Sequence, residues 1–172
     1  MFRCILCGSN KLDFLTDQVL CKNCSHTYPI LNGIPILVRD WHILNNKIKD
    51  AKNIKPSWYE EEQPAENTSP WRHHIKKRRM FVEKSIRNFL QDREKSQNTL
   101  DLGCGDGNNL MWLKNHSEQC FASDYNPIRL TRAKSRYPNI NFFIADILQY
   151  PVIDNYFEII FFNHVIEHIP DD

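Results

Sequence analysis

The run Leu100-Asp101-Leu102-Gly103-Cys104-Gly105-Asp106-Gly107-Asn108-Asn109-Leu110 constrains this chain more than any other stretch. A short apolar strand leads into three alternating glycines and then into a helix. Glycines at a strand-to-helix turn admit positive φ and a close approach of backbone to ligand. The helix that follows aims its free N–H groups and the positive end of its dipole at the same place. Such a turn suits an anionic or carboxylate-bearing ligand. The strand before it and the helix signal after it argue against an incidental glycine-rich turn.

Spacing separates the nucleotide cofactors that use such loops. A dinucleotide fingerprint is Gly-x-Gly-x-x-Gly, its third glycine allowing helix and strand to pack closely. Here Asn108 stands where that third glycine belongs. The stretch instead resembles motif I of the class I S-adenosylmethionine (SAM)-dependent methyltransferases, in which Asp-x-Gly-x-Gly-x-Gly wraps the methionine part of SAM. The resemblance runs from about Trp71 to the last residue. It implies an α/β, Rossmann-like, mostly parallel sheet, and methyl transfer from SAM to an acceptor. It also implies that Asp101, Gly103, Cys104, Gly105 and Gly107 surround the methionine moiety.

The following strand ends extend the pattern. Cys120-Phe121-Ala122-Ser123 reads as a strand ending at Asp124, with Tyr125 next to it. A carboxylate about 20 positions after a glycine loop can accept both ribose hydroxyl protons, for SAM and NAD alike. Asn126-Pro127 then opens a helix reaching about Tyr137. Ile140 to Ala145 is an almost continuous apolar run, as for a strand buried on both faces, and it ends at Asp146-Ile147. In the family an Asp at this point bonds the adenine amino group and the next residue lies against the ring; the ordinary alternative is an Asp capping the next turn. Phe157 to Phe162 is a fourth strand. The string Asn163-His164-Val165-Ile166-Glu167-His168-Ile169-Pro170 after it resembles motif IV, which implies that Asn163 borders the cofactor. His164 is a candidate general base for an acceptor needing deprotonation, with capping or packing of His164 and His168 as the other reading. Cys104 and Cys120 are most simply core thiols.

Ahead of this region, Cys4-x-x-Cys7 and Cys21-x-x-Cys24 are separated by thirteen residues. Two thiolate knuckles at this spacing close a tetrahedral structural zinc site, whose metal supplies much of a small module's folding free energy. The repetition of the pair argues against a redox Cys-x-x-Cys. Gly8 suits the tight turn after Cys7, and His26 reads as a surface residue. Leu12 to Leu15 and Val19-Leu20 form two short strands with a turn at Thr16-Asp17-Gln18, a zinc ribbon. The segment Tyr28-Pro29-Ile30, then Gly33-Ile34-Pro35-Ile36-Leu37, resembles the ending of the small zinc-binding activators that partner tRNA and release-factor methyltransferases. A ribbon ahead of a methyltransferase also resembles the guanine-N1 ribosomal RNA methyltransferases, although their last ligand pair usually carries a histidine where this chain has Cys21 and Cys24.

The chain thus divides into a ribbon over 1–38, a linker over 39–69 and the first part of a methyltransferase domain over 70–172. Trp58 and Tyr59 of the linker are expected to pack back on either module. Ser69-Pro70 reads as the N-cap and first position of a helix to about Gln91, with an apolar stripe of Trp71, Ile75, Val82, Ile86, Phe89 and Leu90, widened by Phe81. The same helix carries Arg72, His73, His74, Lys76, Lys77, Arg78 and Arg79. A solvated face is preferred to a phosphate-binding one, because 22 Lys and Arg against 21 Asp and Glu leave the chain near neutral.

With 172 residues the sequence offers candidates for only four of the family's seven strands, ordered 3-2-1-4-5-7-6. The expectation is a chain that needs a partner or a further segment, with self-association through the apolar edge at 156–162. The acceptor is open: an RNA base, a sugar or lipid intermediate, a metabolite or a protein side chain. Six cysteines without an export signal, and no run approaching the roughly 20 apolar residues of a membrane span, favour a cytoplasmic setting. Two further readings stand: a non-catalytic SAM-binding and zinc-ribbon partner or remnant, and an NAD-dependent oxidoreductase, disfavoured by Asn108.

Overall fold

Alternation of side chains along the strands organises the molecule. In the computed structural model, which describes residues 1–42, 45–46, 61–64 and 66–169, eight strands form one sheet. They are β1 (Leu12–Phe14), β2 (Gln18–Cys21), β3 (Thr27–Leu31), β4 (Ile34–Leu37), β5 (Ser96–Leu102), β6 (Ser117–Asp124), β7 (Asn141–Ala145) and β8 (Ile159–Phe162). The order is β1-β2-β3-β4-β7-β6-β5-β8. Strands β7-β6-β5-β8 are parallel and follow the 3-2-1-4 order expected of the family. Strands β1 to β4 are an antiparallel meander.

The junction between these parts is a strand pair. β4 runs parallel to β7, with Ile36 beside Ile144 and Leu37 beside Ala145. The ribbon hairpins therefore cover an edge that the parallel strands would otherwise leave open. Alternate residues then serve two cores. Ile34, Ile36, Cys120, Ala122, Phe142 and Ile144 face one side, where helix α3 (Pro127–Arg136) adds Leu130 and Ala133. Leu37, Leu100, Phe121, Phe143 and Ala145 face the other, where they meet Cys4, Val19, Cys21 and Tyr28. Burying a side chain such as Phe143 removes enough apolar surface from water to contribute roughly 1.5–3 kcal/mol. Lys134 of α3 also donates to the Gly33 carbonyl at 2.6 Å.

Helix α1 (Arg72–Leu90) packs Val82, Ile86 and Leu90 on Ile159 and Phe161 of β8 and on Trp112 and Leu113 of the one-turn helix α2 (Leu110–Leu113). It begins two residues later than its sequence predicts. Ser69 closes a preceding turn, its Oγ accepting from Trp71 N at 3.2 Å, and Trp71 holds the cap position. Trp71, Phe81 and Phe89 of the expected stripe are exposed, at 67%, 72% and 54%. The helix expected over Asn108 to Asn115 shrinks to α2 followed by a tighter turn, Lys114–His116. The motif IV segment forms only a short 3-10 turn, Ile166–His168. Pro56, Trp58, Tyr59 and Glu60 of the expected linker, and Pro170, lie outside the described residues. Among the described residues no helix is long and apolar enough to cross a membrane.

Candidate functional site

Parallel register levels the strand ends. Leu102 lies beside Ser123 on one side and Phe162 on the other, and Asp124 lies beside Ile144. Asp101, the glycine turn, Asp124 and Tyr125, Asp146 and Ile147, and Asn163 consequently share the carboxyl edge of the sheet. In open α/β sheets that edge is where ligands bind.

The turn after β5 needs its glycines. Gly103, Gly105 and Gly107 have φ of +76°, +54° and +77°. A Cβ on Gly103 would meet Val165 Cγ2 at 2.2 Å, and one on Gly107 would meet Ala133 Cβ and Leu110 Cδ1 at 3.0 Å. Gly107 rather than residue 108 is thus the glycine that lets turn and helix approach, which explains the tolerance of Asn108. Gly103 N and Cys104 N both donate to the Ser123 carbonyl, at 2.8 and 3.0 Å.

Asp124 ties two loops together. Its Oδ2 accepts from Gly105 N and its Oδ1 from Asn126 N, both at 2.7 Å. Asn126 Oδ1 then caps α3, accepting from the N–H groups of Ile128 and Arg129. Burial raises the pKa of Asp124 while these backbone donors oppose the rise. Asp101 is 2% exposed, and its Oδ2 has no hydrogen-bond partner among the described residues. Burial, and then the charge of Asp124, push its pKa up to about 8. The nearby Arg129 guanidinium offsets part of the charge at Asp124, while Asp101 holds its proton more tightly than an ordinary carboxyl.

Asp146 is half-buried and caps the turn Ile147–Gln149, its Oδ1 accepting from Leu148 N at 2.9 Å. Tyr125 is 38% exposed at the same mouth. His164, at φ +55°, bonds Glu167 Oε1 through Nδ1 at 3.2 Å. Cys104 and Cys120 are buried, and burial pushes the pKa of Cys120 up to about 12.

Sequence reasoning missed Asp106. Its fully buried side chain accepts from Arg132 Nε at 2.7 Å and from Gln63 N at 3.0 Å. Arg136 Nη1 donates to its carbonyl at 2.9 Å and also pairs with Glu62, and Asn108 Nδ2 reaches the Pro64 carbonyl. Residues 61–64 are thereby strapped across the glycine turn. The only advance signal was the i, i+4 pair Arg132 and Arg136, which looks like an ordinary solvated face.

At the far end of the shared core, the sulfurs of Cys4, Cys7, Cys21 and Cys24 all lie within 4.8 Å of one another. Cys4 and Cys24, and Cys7 and Cys21, are each 3.6 Å apart. A tetrahedral site with 2.3 Å Zn–S bonds spaces its ligands by roughly 3.8 Å, so the set fits zinc. The Ser9 backbone and the Asn23 side chain hold the pKa of Cys7 down at about 6. Tyr28 Oη contacts Cys4 Sγ at 3.1 Å and accepts from Ile5 N. His26 stacks edge-on against Tyr28 and lies outside the cluster.

No curated protein sequence matches the chain. Among solved structures it is similar to the SAM-bound CalS10 of Micromonospora echinaspora, an amino pentose methyltransferase involved in calicheamicin biosynthesis. Identity is 21%, over 51% of this chain and 34% of that one, with a TM-score of 0.41. A putative sarcosine dimethylglycine methyltransferase from Galdieria sulphuraria is 18% identical over 67% of this chain and 47% of its own, at TM-score 0.45. The Haloferax volcanii complex of the Trm112 methyltransferase activator with a putative methyltransferase matches at 20% identity, 51% and 40% coverage and TM-score 0.39. The chain thus spans between a third and half of the length of these proteins. Residues 100–172 match the family profile described as a methyltransferase domain. The matched stretch begins inside β5 and takes in the glycine turn, β6, β7 and β8.

Proposed function

We propose that the chain binds SAM and serves transfer of its methyl group to an acceptor. The observation that carries this is Asp124, fixed between Gly105 N and Asn126 N at the end of the strand beside the glycine turn. The backbone of Gly103, Cys104, Gly105 and Gly107 would cradle the amino-acid end, with Asp101 facing its ammonium. Asp124 and Tyr125 would take the ribose, Asp146 and Ile147 the adenine, and Asn163 the side of the reacting carbon. When bound, the cofactor supplies a methyl group already activated on a sulfonium, so the protein's task is mainly positioning. The four cysteines hold one structural zinc. A cytoplasmic setting keeps such thiols reduced and available to metal.

Calorimetric titration with S-adenosylhomocysteine and, separately, NADH tests this. Uptake of S-adenosylhomocysteine alone is expected; NADH binding with no response to S-adenosylhomocysteine would overturn the proposal.

A second reading, a SAM-binding partner without turnover of its own, is favoured by one observation. β8 is an edge strand among the described residues, with Ile160 and Phe162 55% and 39% exposed. Binding of S-adenosylhomocysteine together with methyl transfer that appears only after a second chain is added would select this reading.

A further inference from the structure

Beside the glycine turn, between the first turns of α1 and the loop after β8, lies a cavity of about 530 Å³ lined by Trp71, His74, Ile75, Arg78 and His164. None of these residues is assigned above to cofactor or zinc. Two contacts set its place. The Val165 side chain lies against Gly103, which holds the loop carrying His164 next to the glycine turn, and Val82 and Ile86 seat α1 on β8. The volume falls within the range of small-molecule sites.

The lining is chemically one-sided. Trp71 is 67% exposed, so its indole face is open to a ligand; the His74 ring lies 6.1 Å from it, tilted by 53°, and Ile75 adds apolar surface beside them. Arg78, one helical turn beyond His74, has no carboxylate partner among the described residues, whereas its neighbour Arg79 is paired with Glu66 at 2.8 Å. The described lining contains no acidic side chain, and the nearby Glu167 is engaged by His164. A guanidinium beside an aromatic wall selects a planar anion, because the fork pairs with oxyanions while the ring stacks.

We propose that this cavity takes the methyl acceptor, and that the acceptor is a small planar molecule bearing a carboxylate or phosphate. Its ring lies on Trp71, its anion on Arg78 and its reacting group toward His164. The proposal deepens the methyltransferase reading and rests on it. Cavity size and a net charge of only +1 favour a small molecule over a nucleic acid.

The test uses the whole chain, titrated first with S-adenosylhomocysteine. The saturated protein is then titrated with 4-hydroxybenzoate, phenyl phosphate, uncharged 4-hydroxybenzamide and a single-stranded RNA oligonucleotide. One or both anions should bind at least tenfold more tightly than the amide, and the tighter of the two identifies the anion. Arg78→Gln should weaken anion binding about 10- to 100-fold. Trp71→Ala, at an exposed position, should weaken it too, with S-adenosylhomocysteine affinity and thermal midpoint unchanged in both variants. Equal binding of amide and anions, or anion binding indifferent to both substitutions, overturns the proposal. RNA that binds more tightly than the anions and displaces them also overturns it. Arg78-dependent anion binding in a chain that takes up no S-adenosylhomocysteine would instead overturn the methyltransferase reading and leave the anion site standing.

Discussion

Replacing Asp101 by asparagine separates cofactor electrostatics from fold stability. The carboxyl group sits at the end of β5, 2% exposed, with its pKa pushed up to about 8 by burial and the charge of Asp124. Unfolded, it would titrate at the ordinary 3.8. Because the folded value is the higher one, the folded chain retains a proton that the unfolded chain gives up. The associated stability is fully present below about pH 3.8 and is lost as pH rises through about 8. At about 1.36 kcal/mol per pKa unit the full loss is on the order of 6 kcal/mol. Asp101→Asn should therefore flatten the fall in thermal midpoint between pH 5 and 8 and raise the midpoint at pH 7.5. Binding adds the sharper readout. If the ammonium of S-adenosylhomocysteine pairs with Asp101, binding expels the proton, and affinity should climb between pH 5.5 and 7.5 by up to about tenfold per unit. Calorimetry in two buffers of different protonation heat counts that proton directly. A wild-type affinity independent of pH, or an unchanged slope in Asp101→Asn, would refute the argument; so would an asparagine variant less stable at pH 7.5.

Asp124→Ala removes the acceptor for Gly105 N and Asn126 N and should weaken S-adenosylhomocysteine binding by about 1.5–3 kcal/mol, read by calorimetry. Elemental analysis should find close to one zinc per chain; Cys21→Ser should lose it. Because Cys21 shares a core with Phe143 and Ala145, amide exchange should then accelerate in β7 as well as in the ribbon, and protection confined to its wild-type level would count against a structural metal. Ile160→Lys, on the open edge strand, should reduce self-association seen by light scattering without changing cofactor affinity; a wild-type chain that stays monomeric at high concentration would contradict this.

What the sequence disclosed was local. The glycine positions, Asp124 and Asp146 were legible because a strand ending in a turn fixes which residue reaches the sheet edge, and four cysteines in two pairs leave little choice of partner. The start of α1 was misjudged because Ser69 is equally suited to a turn, and capping residues do not announce which role they take. Asn108, Asn109 and Asn115 are weak helix formers, in keeping with the reduction of the expected helix to Leu110–Leu113. Trp71, Phe81 and Phe89 follow the helical period yet remain exposed, since periodicity identifies a face and not what covers it. The pairing of β4 with β7 was invisible, because nothing in Ile34–Leu37 records a partner so distant in the chain. The burial of Asp106 under Arg132 was hidden likewise, in a charge pattern indistinguishable from a wet surface.

That distant pairing imposes a timetable on synthesis. Ile36 and Ile144 are neighbours across more than a hundred positions, the sort of contact whose loop-closure entropy slows folding. At ribosomal speeds the ribbon waits about 5 to 20 s for β7 to emerge. During that interval metal capture and the local hairpins can proceed, but the outer side of β4 has no strand to pair with. The nascent ribbon is thus a folded template displaying an adhesive edge, and the first parallel strand able to reach it, from this chain or another, sets the outcome. Crowded translation of the same message should favour exchange of ribbons between sibling chains.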